Sequence, residues 1–415
     1  GGFMKKILSI VLAFISITSF ACTSAIITGK ATPDGRALMW KHRDTGTLDN
    51  RIEKIQGEKY SFIALFNSNV DEATEAWAGT NETGFSIMNT ASYNLKPNDD
   101  KTKIVDLEGV IMYKALSVCK NLEDFENLLN KMKKPLGVEA NFGVIDAEGG
   151  AAYYEVNNFE WTKIDVNDPK IAPQGFLVVA NYSYTGDYDQ GSGYVRYTTA
   201  HINFLKNKGR NGEFTPQWIF NDCSRSFYNS ALDIDLVKDP SLTPSGWFID
   251  QDFIPRRISS ASVVIQSVLP EENPALTTMW TVLGYPPIGV AVPLFVNEQL
   301  PKYMVKYSDN NYQTLLIDVE NPLHCEMCDY VLELKKDVFP MKRGNGKDYF
   351  NFSKLYNSEG NGYMQVFGEV EKSIFEVYDI ISKKWRESGK VDSKELQSFY
   401  DSIYLNIANQ KILRK

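Results

Sequence analysis

Cys22 is the residue whose chemistry depends most on its place in the chain. It directly follows MKKILSIVLAFISITSFA, residues 4–21: two lysines, an apolar run from Ile7 to Phe20, then small residues at Ser19 and Ala21. This is the layout of a secretory signal peptide cleaved after Ala21. Cleavage would make Cys22 the first residue of the mature chain. An amino-terminal cysteine carries a thiol and a free α-amine, with reference pKa values of about 8.5 and about 7.7–8.0, on one residue. The amine can take the thiol proton, the thiolate can attack an acyl carbon, and the ammonium can protonate the leaving amine. Nucleophile and base are then supplied without a histidine.

The residues that follow predict how that sulfur is positioned. Residues 22–30 read as a strand, Pro33-Asp34-Gly35 as the heart of a turn, and 37–40 as a returning strand. A hairpin of this kind carries Lys41-His42-Arg43-Asp44 back to Cys22. Cations and a carboxylate therefore return to the nucleophile.

Other chemistries find less support. His42, His201 and His324 are the three histidines; there is no His-Glu-x-x-His pattern and no Gly-x-Ser-x-Gly turn. A zincin or serine hydrolase is disfavoured. His324-Cys325-Glu326-Met327-Cys328 holds one Cys-x-x-Cys, whereas a tetrahedral zinc site needs a second pair. In an exported chain a local disulfide is the better expectation for it. Cys119 reads as a buried thiol, and Cys223 either pairs with it or stays free. Neither a metal nor a cofactor is expected.

Three blocks carry a resemblance. CTSAIITGKATPDGRALMWKHRD, from Cys22 to Asp44, resembles the start of the amino-terminal-nucleophile hydrolases that cleave linear amides: choloylglycine hydrolases, penicillin V acylases, and the isopenicillin-N acyltransferase and carcinine-hydrolase-like group. Gly79-Thr80-Asn81-Glu82-Thr83-Gly84 through Asn89 is similar to a second block of those families, and Phe142 to Ala151, with Asp146 and Gly149, to a third. The resemblance covers roughly residues 22–300 and leaves the last hundred or so unexplained. It implies an α+β fold, a four-layer αββα sandwich, here with extra C-terminal helices.

It also implies roles. Asp44 would hold the α-amine through a charge-assisted hydrogen bond. Lys41 falls where choloylglycine hydrolases carry an arginine near the sulfur, and Arg43 is the alternative cation. Asn89 and Asn181 would supply amides to a developing oxyanion. Where the families place an arginine, this chain has Val263. Either Arg256 or Arg257 substitutes from the preceding turn, or the role is absent.

The activity so implied is hydrolysis of a linear amide through an acyl-thioester on Cys22. An acyltransferase and a dipeptidase using the same nucleophile are alternatives. A lipid-anchored binding protein is a non-enzymatic one, although Ser19 stands where a lipoprotein signal prefers a Leu-like residue. The expected location is periplasmic or secreted, with a small-molecule amide as substrate and no transmembrane anchor in the mature chain. Homo-oligomerisation stays open.

The whole chain is consistent with this. Lys and Arg number 44 against 52 Asp and Glu, giving a net charge of −8, so no basic field exists to gather nucleic acid. With 43% hydrophobic residues in 415, a large core can be buried. Residues 1–21 read as leader and 22–415 as one domain, with a C-terminal helical elaboration from about 330. Helical spacing is read over 105–134, 197–206, 217–227, 365–385 and 393–410, strands near 142–156 and 176–182, and β structure dominates 263–294. Within it, 279–287 reads as a turn and 290–296 as a buried strand. Residues 335–347 read as a polar loop, the best linker candidate.

Overall fold

Residues 61–67, Ser-Phe-Ile-Ala-Leu-Phe-Asn, are apolar on both alternating faces, so a strand built from them must be covered twice. It is. Phe62, Ala64 and Phe66 enter one core with Ile111, Met112 and Leu116, while Ile63 and Leu65 enter another with Met39 and Tyr153. Two cores need two sheets and covering helices.

The computed structural model describes residues 21–70, 72–95, 106–209, 214–307, 314–317, 325–340 and 349–412. Leader residues 4–20, His324 and positions 341–347 of the expected loop lie outside the described residues. The principal strands are β1 (Thr23–Ile27), β2 (Leu38–Asp44), β3 (Asn50–Gln56), β4 (Ser61–Asn67), β5 (Ala78–Asn81), β6 (Ser86–Ala91), β7 (Ala140–Ile145), β8 (Ala151–Val156), β9 (Trp161–Asp165), β10 (Phe176–Val179), β11 (Ser259–Gln266), β12 (Thr278–Leu283) and β13 (Val292–Leu294). The principal helices are α1 (Glu108–Val118), α2 (Leu122–Lys131), α3 (Tyr194–Gly209), α4 (Glu326–Val338), α5 (Tyr363–Ser388) and α6 (Ser393–Ile412).

One antiparallel sheet has the order β10-β1-β2-β11-β12-β13, and the other runs β3 to β9 as consecutive neighbours. The sheets face each other, with β2 against β7 and β1 against β8. Across that interface Ser24 and Tyr153 share a buried hydroxyl hydrogen bond of 3.0 Å. Helices α1 and α2 cover the meander, where Phe125 meets Phe142 and Tyr154 edge-on. The outer face of the first sheet is covered by α3 and the C-terminal helices; Trp280 of β12 stacks on Phe375 of α5 at 4.4 Å, a contact contributing about 0.5–1.5 kcal/mol beyond burial. The layer order is αββα, as expected from the resemblance.

Several expectations need correction. The helical stretch 105–134 divides: Cys119 turns extended, and Asn121 starts α2 by accepting a hydrogen bond from the Asp124 N–H at 3.0 Å. Of the expected turn at 279–287, residues 279–283 belong to β12, because β11 pairs along its whole length, and the chain turns after Leu283. The proposed linker begins inside α4, where Lys335 and Val338 are buried. All five cysteines are free thiols. Cys119 and Cys223 sit in different cores. Cys325 Sγ donates to the Tyr303 carbonyl at 3.3 Å, and Cys328 Sγ accepts the Asn50 N–H at 3.3 Å.

The conspicuous motif residues mostly build structure. Asn81 donates to the Leu116 and Cys119 carbonyls at 2.9 and 2.7 Å, closing the end of α1. Asp146 accepts from the Leu122 and Gly150 N–H groups at 3.0 and 2.8 Å, joining the β7–β8 turn to α2.

The C-terminal helices dock through a buried ion pair. Arg225 grips Glu371 of α5 with bonds of 2.7 and 2.6 Å, and Glu371 also accepts the Ala291 N–H at 2.6 Å.

Candidate active site

The site grows from the β1–β2 hairpin. Thr23 pairs with His42 and Ser24 with Lys41, so Cys22 meets Arg43 one step further on. Directly paired residues share a face. Trp40, His42 and Thr23 therefore look toward α3, where Trp40 meets Phe204. Lys41, Arg43 and Cys22 look toward the second sheet.

There they line one cavity with Asp44, Trp77, Asn89, Ala91, Asp106 and Glu108, leaving a space of ≈ 30 Å³. Cys22 and Ala21 are both buried. Of the candidates read from the sequence, Cys22, Lys41, Arg43, Asp44 and Asn89 are brought together, and Asn181 stands outside that lining.

Lys41 settles the orientation of Asn89. Its ammonium donates to the Trp77 carbonyl at 2.6 Å and to Asn89 Oδ1 at 2.5 Å. An ammonium only donates, so Asn89 must turn its oxygen to it, which leaves the Nδ2 amide as the donor on this wall. Burial pushes Lys41 down to about 8; Cys22 pulls it up, Arg43 pushes it down and Glu108 pulls it up. One of the three ammonium protons stays uncommitted to these two acceptors. Arg43 is more fully engaged: it donates to Asn50 and to Asn67 Oδ1, the latter at 2.9 Å, and its guanidinium lies 4.8 Å from the Trp77 ring centroid. The buried Trp77 Nε1–H has no acceptor among the described residues.

Asp44 is held from the other side. Arg256 Nε donates to Oδ2 at 2.8 Å, and the Ser259 hydroxyl donates to Oδ1 at 2.6 Å. A bulge between Ser259 and Ala261 of β11 presents that hydroxyl. Ser259 has one hydroxyl proton, so the His42 Nε2 atom at 2.9 Å acts as donor to it. Burial holds His42 down to about 4, so it is a neutral imidazole. Arg256, one of the two arginines weighed as a substitute for the missing one, is thus on Asp44. Val263 pairs with Lys41 in the neighbouring strand.

Sequence reasoning missed two groups beside Cys22 and its cavity. Arg196 of α3, almost wholly buried, donates to the Cys22 carbonyl at 2.8 Å, Thr23 Oγ1 at 2.9 Å, Asn181 Oδ1 at 2.9 Å and Asp252 Oδ1 at 3.0 Å. Gly193 makes room for it: a Cβ there would collide with the guanidinium, and its φ of 78° is already in the left-handed region. Asn181 is spent locally, its Nδ2 donating to the Ala91 carbonyl at 3.0 Å and its oxygen taking Arg196. Glu108, in the first turn of α1, is the second group. Burial pushes its carboxyl up to about 8, so it keeps its proton at neutral pH. A lone Arg or Glu in a helix gives no sequence signal for either role.

No protein-family model matches the chain, and no curated protein matches it. Among solved structures it is similar to an N-acylethanolamine-hydrolyzing acid amidase ortholog from Caenorhabditis elegans, at 15% identity over 61% of this chain and 95% of that one, with a TM-score of 0.40. It is similar to a conjugated bile acid hydrolase from Clostridium perfringens at 12% identity, covering 67% and 92% of the two chains, TM-score 0.38. For a penicillin V acylase from Agrobacterium tumefaciens the values are 11%, 66%, 86% and 0.35. At this level the likenesses assign neither a family nor an activity, and the residues of the site are what support a function.

Proposed function

We propose that the chain, exported and trimmed to begin at Cys22, hydrolyses linear amides as an acylase. The observation that carries this reading is the shared cavity of Cys22, Lys41, Asp44 and Asn89, in which Lys41 takes Asn89 Oδ1 and leaves an amide N–H to donate.

In this reading the α-amine of Cys22 accepts the thiol proton, with the Asp44 carboxylate aiming the amine. The sulfur attacks the acyl carbon while the Lys41 ammonium stands charged beside it. The carbonyl oxygen becomes an oxyanion, met by Asn89 Nδ2. The C–N bond then breaks, the ammonium returns its proton to the leaving amine, and an acyl-thioester remains. Water adds to the thioester, the amine takes a proton from that water, and the acid leaves as the sulfur is reprotonated.

The test has two arms. Intact-mass measurement of the exported protein should show a chain starting at Cys22. That protein should release amine from at least one member of a panel containing a glycine-conjugated bile acid, phenoxymethylpenicillin and an N-acylethanolamine, and Cys22→Ala should abolish the release while the fold persists. A working protein that retains Ala21, or a Cys22→Ala variant with full turnover, overturns the reading.

A further inference from the structure

The C-terminal helices reach the site through one buried cation. Lys335 of α4 is 5% exposed, and its ammonium donates to the Ser259 carbonyl at 2.9 Å. It lies 4.8 Å from the Tyr285 ring centroid and 5.8 Å from that of Phe339. Ser259 is the residue whose hydroxyl donates to Asp44, and it is locked to Arg256 in both directions: its N–H donates to the Arg256 carbonyl at 2.8 Å, and its Oγ accepts the Arg256 N–H at 3.0 Å. One residue thus connects the ammonium on its carbonyl side to the carboxylate on its hydroxyl side.

A buried ammonium with one hydrogen bond and two ring faces is expensive unless a carboxylate balances it. The groups that interact with it are Asp44 and His42 from β2, Asp250 and Arg257 from the segment before β11, and Cys328 from its own helix, and Arg256 shares Asp44 with it. Among these the carboxylates are Asp44 and Asp250. From this geometry we propose that Lys335 is a positioning residue: its charge, acting at Asp44 through Ser259, favours the anionic, reactive form of the Cys22 sulfur. The inference rests on the reading of Cys22 as an amino-terminal nucleophile.

Its signature is a pH-dependent difference. Burial pushes Lys335 down to about 7, with Asp44 and Asp250 pulling it back, so the charge acts below that pH and fades above it. At an effective dielectric of about 20, a unit charge roughly 10–20 Å away moves a titration by roughly 0.6–1.2 pH units.

The experiment follows alkylation of Cys22 by iodoacetamide in the mature full-length protein, read as mass added to its amino-terminal peptide, so no substrate is needed. Lys335→Gln keeps a donor for the Ser259 carbonyl but loses the charge. It should react about 4- to 15-fold more slowly than wild type at pH 6 and within twofold of it at pH 9. Lys335→Arg should match wild type at pH 6. A purely structural role would slow Lys335→Gln by the same factor at both pH values, and that result, or coincident profiles, overturns the inference. If Lys335→Gln does not fold, Lys335→Met carries the same expectation. A terminal peptide still carrying Ala21 would instead overturn the reading of Cys22, and is seen in the same spectrum.

Discussion

Replacing Arg196 by Met removes the guanidinium that ties α3 to the backbone of the nucleophile. Three buried acceptors lose a donor: the Cys22 carbonyl, Thr23 Oγ1 and Asn181 Oδ1, all at 2.8–2.9 Å. Each buried neutral acceptor left without its donor costs about 1–3 kcal/mol, and in the lower half of that range three of them sum to about 3–5 kcal/mol. The bond to Asp252 adds little, since that carboxylate is 37% exposed and screened by water. The expected loss is therefore about 3–5 kcal/mol, a large share of the roughly 5–15 kcal/mol that a folded domain commands. Freed of its anchor, the Cys22 carbonyl can shift, and a displacement on the order of 1 Å lowers a rate about a hundredfold. Arg196→Lys should recover only part of either loss, because one ammonium cannot reproduce the planar fork that spans three acceptors. Urea unfolding gives the stability, and amine release from the amide identified in the panel gives the rate. An Arg196→Met protein with wild-type stability and rate would refute the reasoning. Lower stability with an unchanged rate would refute the part that concerns positioning.

Glu108 makes a prediction about pH. Its folded carboxyl is held up to about 8 by burial, against an ordinary value of 4.5. Between these values the unfolded chain releases a proton that the folded chain keeps, so stability falls as pH rises through that window, by at most about 1.4 kcal/mol per pH unit. Glu108→Gln should flatten the difference between urea midpoints at pH 5 and pH 8; an identical slope in the variant would exclude this origin. For the docking of the C-terminal helices, Glu371→Ala strands the buried Arg225 and should lose about 3–5 kcal/mol, whereas an unchanged melting temperature would show that α5 docks without the pair.

Legibility followed sequence distance. The hairpin was readable because its turn chemistry is local and its strands pair within twenty or so residues; Lys41, Arg43 and Asp44 came with it. Asn89 was readable from its block, but not that Lys41 would take its oxygen. Asn81 and Asp146 stood out equally well and proved to fasten helices to turns. Arg196, Glu108 and Lys335 were invisible, since a single charged residue in an amphipathic helix looks like any solvated one. The Cys-x-x-Cys pair misled because spacing alone does not report that each thiol already has a backbone partner.

What the sequence determined by itself is the candidate chemistry and the short-range geometry: a cysteine behind a leader, and a two-residue side-chain alternation that turns it to the same face as Lys41 and Arg43. Only the tertiary structure decided which of those groups is committed and which is left to act. Arg196 lies 174 positions from Cys22, Arg256 lies 212 from Asp44 and Lys335 lies 76 from Ser259. Hydrogen-bond capacity is finite and is divided among whatever the packed layers bring within reach. The division therefore exists only once the sheets have closed on each other.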